Sequence, residues 1–479
     1  MGTLKSRGRP PFTGSPLRCI NSESNYVAQA INYPVIPLRT RSIRGRYPIC
    51  SGFTQPADDW KEAKRGPITE TRHQMTGNLF SAVAWTMALP DSSIFGGFMV
   101  VALIVRFATS SLKAGKVDTC DIAALAYLFV QFVVLGARQL PSNAIHFITP
   151  LTAALCIYYI VRLTSFSKNM FQSTLYAVVG FALVLATCDI LLFGSALRHF
   201  SLFRRSDISS LHAGFPLLGG PTRNDGAMML LALLPYAFTA SLLDRSDAST
   251  SLVYLGRFTT LMLVSAMVLS FSRGIYTGLA VFGVAAVVLL RCYDVVPLRR
   301  LLKSASTLVV LVGVVIIGCR VQTAFIDTIT GSRTVSEQRS TSGRITIWIE
   351  RFDSVKRHPL LGLGGYSDGV IALASRKKTP NLPFEALAYN APLDVLLSSG
   401  LLGFLAYGTF LLYPIVMFFR SPRRARGERT TLLTCLVACL VAMLVRDLTF
   451  SSLVIHGATV FVTWLTVGVI RTFTINFAS

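Results

Sequence analysis

Apolar runs of about 15 to 20 residues recur along this chain, and a run of that length satisfies its backbone only as a helix buried in protein or lipid. Read as spans, they give twelve candidates, centred near Ala84, Met99, Tyr127, Ala154, Leu183, Leu233, Val264, Ala285, Val312, Phe404, Val437 and Val460. The first two, divided by Pro90-Asp91, are short. Composition agrees: 52% of the 479 residues are hydrophobic, 14% are charged and mean hydropathy is +0.55, whereas soluble domains carry about a quarter charged residues. The expected fold is all-α and polytopic, with about 12 transmembrane helices.

Short basic loops orient such a bundle, because Lys and Arg near span ends stay cytoplasmic. Arg106, Lys113 and Lys116 follow the second span, Arg299, Arg300 and Lys303 the eighth, and Arg420, Arg423, Arg424, Arg426 and Arg429 the tenth. All three loops fall on one side of the count, so both termini are expected in the cytoplasm. Ser195–Asn224, the turn Ser272-Arg273-Gly274 and a large loop from Arg320 to Asn390 then face outward. Each of these carries arginines, either as a solvated basic surface or as converging parts of an anion site.

Four segments follow. Residues 1–74 are rich in Arg, Lys, Ser and Pro and read as a disordered basic cytoplasmic tail; Met75, directly before the first span, is an alternative start. No apolar core follows the basic start, so the tail does not read as a signal peptide. Residues 75–319 form an N-terminal transmembrane bundle, 320–390 the large loop, and 391–479 the C-terminal transmembrane helices. The nine cysteines show no metal or disulfide spacing, and no metal site, cofactor or nucleic-acid partner is expected.

Within the loop, Ile345, Trp348, Phe352 and Val355 recur at helical spacing from Arg344 to His358, while Arg351, Lys356 and Arg357 point elsewhere. This pattern predicts an amphipathic helix at the bilayer interface, ended by Pro359. Glycines 362, 364 and 365 then predict a backbone turn rather than a nucleotide fingerprint.

Three elements together resemble a known family: SRG at the outer end of a span, R-(x)3-W followed by HPLLGLG, and an aromatic-Asn pair ten residues before the glycine of LLSSGLLG. They are similar to the bacterial O-antigen ligase and O-antigen or exopolysaccharide polymerase superfamily. The resemblance runs over roughly residues 75–470, with specific motifs at Arg223–Asn224, Ser272–Gly274 and Arg344–Gly403. It implies a metal-independent glycosyltransferase of the all-helical C-type fold in the bacterial inner membrane, with the large loop periplasmic. The implied donor is a glycan on undecaprenyl diphosphate; the acceptor is a lipid A core sugar for a ligase or another lipid-linked repeat for a polymerase.

Physical chemistry runs parallel to that resemblance. Breaking the bond between a sugar and a lipid diphosphate builds negative charge on the leaving group, which fixed guanidinium groups stabilise. Arg273 is the first candidate for this role, Arg223 the second and Arg344 the third; the alternative for Arg273 is an interface anchor snorkelling to headgroups. Where the family has His-Asn, this chain has Tyr389-Asn390. A tyrosine with a pKa of about 10 is a poor base at neutral pH. Three roles stay open: Tyr389 positions the acceptor, its phenol is acidified by arginines, or the base is His358, Glu385 or Asp394. An inactive or differently specific relative is a further reading.

A transporter of an anionic or amphipathic solute is the second class consistent with twelve spans and positive charge. It calls for internal repeats and discontinuous helices near the midplane. No duplicated half is visible, and the conspicuous charges lie at the outer ends of the spans.

Overall fold

The computed structural model describes residues 117–137, 144–162, 168–198, 223–243, 249–318, 348–349, 351–364, 390–420, 427–448 and 457–478. The tail, the expected spans near Ala84 and Met99, Arg344, Glu385 and Tyr389 lie outside these residues. Everything described is helix or connection, without strands. The long helices are α1 (Thr119–Ala137), α2 (Ala144–Arg162), α3 (Lys168–Arg198), α4 (Arg223–Leu242), α5 (Thr250–Leu269), α6 (Arg273–Cys292), α7 (Leu298–Gly318), α8 (Ala391–Arg420), α9 (Glu428–Asp447) and α10 (Gly457–Ala478). Six of them contain segments long and apolar enough to cross a bilayer, in α3 and α5 through α9, and α1, α2, α4 and α10 contain shorter apolar stretches. The chain is thus a multi-pass membrane protein. The last expected span needs correction: α10 begins at Gly457, so Val460 lies in its first turn rather than at its centre.

The bundle has an inside and an outside without the polar-out pattern of a soluble protein. Residues 226–237 of α4, 430–440 of α9 and 460–474 of α10 are buried throughout. A helix buried all round is the core of a larger bundle. On α7 only Leu301 is buried, and Val309, Val310, Val314 and Ile317 are exposed, a face suited to acyl chains. Close helix crossings use glycine as a spacer. A methyl on Gly256 of α5 would come within 2.6 Å of Ala240 Cβ and 2.7 Å of Ser241 N on α4.

Antiparallel contacts define two ends. Gly274 and Gly278 of α6 meet Arg446 and Ala442 of α9, and Cys439 Sγ of α9 lies 3.4 Å from Leu231 O of α4. The starts of α4 and α6 therefore lie with the end of α9. Asn390, directly before α8, joins them there. Cys120 of α1 meets Phe410 O of α8 and Val130 meets Gly403, so the start of α1 lies at the opposite end.

That opposite end is closed by charge. Arg162 of α2 pairs with Asp121 of α1 at 2.5 Å, and Tyr158 donates to the same carboxylate at 3.0 Å. Arg471 of α10 pairs with Asp118. All four ionic side chains are at least 86% buried, so each needs its partner. Inward of them lies an aromatic cluster of Tyr158, Phe410 and Trp464, the last two with ring centroids 4.3 Å apart.

Helix α8 is broken. Gly400 has φ 61° and ψ −163°, which a residue with a side chain adopts only under strain. The break frees backbone groups that membrane depth does not tolerate unpaired. The segment after the loop helix takes them up. Leu363 N and Gly364 N donate to Leu397 O and Ser398 O at 2.7 and 2.9 Å, while Leu401 N and Leu402 N donate to Pro359 O and Leu360 O at 2.8 and 3.3 Å. A Cβ on Gly400 would fall 2.3 Å from the Leu360 carbonyl. The expected glycine turn is present, with Gly362 and Gly364 at positive φ, but it serves as a strap seated in a helix break rather than as a free turn.

Candidate active site

Three elements meet at the end of the bundle where α4, α6 and α8 begin, and the third of them, the last turn of α9, touches the other two. Asn390 precedes α8 and caps it: its Oδ1 accepts the Leu393 N–H at 3.0 Å. Its Nδ2 donates to Leu448 O at the end of α9, 2.9 Å away. Asp394, one turn on and 3% exposed, accepts the Asn390 N–H at 3.4 Å through Oδ2. Asn390 is thus fixed from both sides.

The second element is the turn from α5 to α6. Phe271 holds φ 49° and is buried, a backbone state costing about 1–3 kcal/mol for a bulky residue, which packing around it must offset. Two hydroxyls stitch the turn: Ser270 donates to Met267 O and Tyr276 to Val268 O, each at 2.6 Å. The outcome is that α6 starts abruptly, with buried Ser272 as its N-cap, Arg273 exposed at its first position and Gly274 beneath.

Gly274 faces the third element, a buried Arg446–Asp447 pair with Nη1 to Oδ1 at 3.0 Å. A methyl on Gly274 would stand 3.6 Å from Arg446 Cγ and 3.8 Å from its Nε, so the arginine side chain lies along the first turn of α6. Residues 446–448 thereby touch both the Arg273 turn and Asn390. Sequence reading passed over this pair. An ionisable dipeptide ending an apolar helix, VRD, was the signal that could have found it.

The remaining candidates fall as follows. Arg223 is the first residue of α4; counting eight residues from Leu231 to Arg223 and eight from Cys439 to Asp447 puts the start of α4 level with the end of α9. His358 ends the loop helix, its carbonyl accepting from Gly362 N at 3.0 Å. Tyr389, the immediate neighbour of Asn390, Arg344 and Glu385 lie outside the described residues.

The loop helix is present, with helical turns at 348–349 and 351–357, but its faces differ from the periodicity reading. Arg351 and Ser354 are buried with Val355, while Ile349 and Phe352 are exposed. Val355 and Leu363 pack on Leu397 of α8, so the strap, rather than a lipid-facing stripe, sets the rotation of the helix. Between this helix and the start of α8 opens a cleft of about 360 Å³. Trp348, Ile349, Phe352 and Leu393 supply its apolar wall, and Asp353, Lys356 and Asn390 its polar groups.

Fold and site define a polytopic helical membrane protein with a built polar site at one end of its bundle. Residues 258–408 match the family model described as O-antigen ligase, which supports the resemblance to the O-antigen ligase and polymerase superfamily. The matched segment holds the Arg273 turn, the loop helix, the strap, Asn390 and the break at Gly400; Arg223 and Arg446–Asp447 lie beyond it. No curated protein shows significant similarity to the chain.

Proposed function

We propose that the protein transfers an oligosaccharide from undecaprenyl diphosphate to a glycan acceptor at the periplasmic face of a bacterial inner membrane, with both termini cytoplasmic. The observation that carries the reading is that Asn390 and the Arg273 turn, both inside the O-antigen ligase segment, bear on the same turn of α9. In the reaction an acceptor hydroxyl attacks the anomeric carbon, the bond to the lipid diphosphate breaks with its electron pair leaving on the diphosphate, and the hydroxyl proton passes to a base or to the departing diphosphate. The exposed Arg273 guanidinium meets that growing charge, supported by Arg223 and Arg344. The C-type glycosyltransferase reading rests on the family resemblance, and metal independence on arginines meeting the charge that a metal would otherwise take.

Asn390 holds the acceptor beside Tyr389, whose phenol positions the attacking hydroxyl; His358, Glu385 and Asp394 are the alternative bases. Asp394 already spends one oxygen on the Asn390 N–H, which favours an ordering role for it. The Tyr389 departure leans the reading toward a polymerase of lipid-linked repeats over a ligase to lipid A core. A transporter fits the structure less well. The break in α8 is the kind of discontinuity that reading calls for, but its freed backbone groups are spent on the 359–364 strap rather than aimed into a cavity.

The deciding experiment is Arg273→Ala in cells that make the polymer. Product is expected to fall about 10²–10³-fold with membrane insertion unchanged, and Arg273→Lys to recover part of it because a point charge replaces a planar fork. Normal glycan laddering in the alanine variant overturns the assignment.

A further inference from the structure

The cleft between the loop helix and α8 belongs to the proposed site yet does not suit the diphosphate. Its two described charges cancel: Lys356 Nζ lies 3.1 Å from Asp353 Oδ1. The same ammonium sits 5.1 Å from the centroid of the Phe352 ring, further committed to a neighbour on its own helix. An anion entering here would meet no uncompensated charge among the described residues. A purely lipidic ligand would in turn cover Asp353 and Lys356 and forfeit their hydration.

A mixed wall of this kind fits a neutral ring with apolar faces and hydroxylated edges. Trp348 is half-buried in the wall and supplies an aromatic face to it, and Leu393 and Ile349 extend the apolar surface. The Asp353 carboxylate can accept from hydroxyls. Asn390, which lines the cleft, carries two N–H groups on Nδ2, of which one is used on Leu448 O, so its amide retains donor capacity. At about 360 Å³ the space is of the size that holds one or two sugar rings.

We propose that this cleft is a saccharide-binding subsite, with Trp348 as the stacking platform and Asp353 and Asn390 as the hydroxyl-reading groups. The proposal rests on the glycosyl-transfer reading and adds to it the place where a sugar sits, apart from the Arg273 turn that faces the diphosphate. The saccharide belongs either to the acceptor or to the donor's glycan, two sources with one chemistry.

The test uses the full chain in detergent and two probes: the oligosaccharide released by mild acid from the producing cell's lipid-linked glycan, and undecaprenyl diphosphate bearing no sugar. Saccharide affinity is expected to drop about tenfold in Trp348→Ala and less in Asp353→Asn, with undecaprenyl diphosphate binding within about twofold of wild type in both. A raised KM for acceptor, or for donor, in the Trp348→Ala transfer assay then names the source, and either result supports the subsite. Asp353→Asn keeps shape while removing the carboxylate and its pair with Lys356, so it tests the cleft even where the alanine variant fails to fold. Unchanged saccharide affinity in both variants overturns the subsite while leaving glycosyl transfer standing. Loss of undecaprenyl diphosphate binding with saccharide binding intact also overturns it, by making the cleft a lipid site. A wild type that binds neither probe overturns the transfer reading and this proposal together.

Discussion

Both ends of the bundle bury charge, and they do so to different effect. At one end Asp118–Arg471 and Asp121–Arg162 join α1, α2 and α10, and Tyr158 completes the Asp121 carboxylate. At the other, Arg446–Asp447 is as deeply buried but lies directly under exposed Arg273, one residue from the carbonyl that holds Asn390, and near an open cleft. A buried ion pair by itself therefore says little about chemistry, since replacing such a pair by apolar residues is often neutral while breaking it is costly. What separates the ends is exposure of a neighbouring cation and a strained turn that presents it.

Several measurements bear on that contrast, beginning with the largest effect. Gly400→Ala is expected to remove most folded protein from the membrane. Its Cβ meets the Leu360 carbonyl at 2.3 Å in a positive-φ backbone, so the strap must leave the break and several buried backbone groups lose partners. Gly408→Ala, on the same helix with nothing within 4 Å, serves as the control and should accumulate normally. Equal yields of the two variants would show that the strap does not hold the site end together.

Next comes the closed end. Arg471→Ala leaves Asp118 buried without its cation and should cost about 3–5 kcal/mol, read as a lowered unfolding midpoint in detergent, with activity per folded molecule unchanged. Arg273→Ala should do the reverse, sparing the midpoint and losing activity. A large fall in turnover for Arg471→Ala at full folding would erase the distinction between the ends.

The smallest effect is expected at Tyr389. Tyr389→Phe should lower activity about ten- to a hundredfold, equivalent to one hydrogen bond of roughly 1.5–3 kcal/mol beside charged groups. Tyr389→His should hold or raise activity. If the phenolate is instead the base, phenylalanine costs far more and wild-type activity climbs with pH toward the ordinary tyrosine pKa of about 10. Wild-type activity in the phenylalanine variant moves the role to His358, Glu385 or Asp394.

Among the described residues, the helices from α1 to α9, the loop helix and the Asn390 end of α8 were legible because each depends on local pattern: an apolar run in lipid has one way to satisfy its backbone, and Asn before an apolar run caps a helix. The rotation of the loop helix was not legible. Periodicity alone put Phe352 with Val355 on one apolar face toward the bilayer, whereas docking of Leu363 on Leu397 buried Val355 beside Arg351 and left Phe352 open.

By itself the sequence determined that this is a chain of membrane helices with a basic loop, and which arginine and asparagine to examine, since hydropathy, capping and short motifs act within a few residues. Only the tertiary structure decided that Arg446–Asp447 underlies the Arg273 turn, that residues 446–448 also bear on Asn390, and that a strap of loop backbone repairs the break at Gly400. Those contacts join positions far apart in the chain. They depend on which groups a burial site leaves without partners, a condition set by packing rather than by any local run of residues.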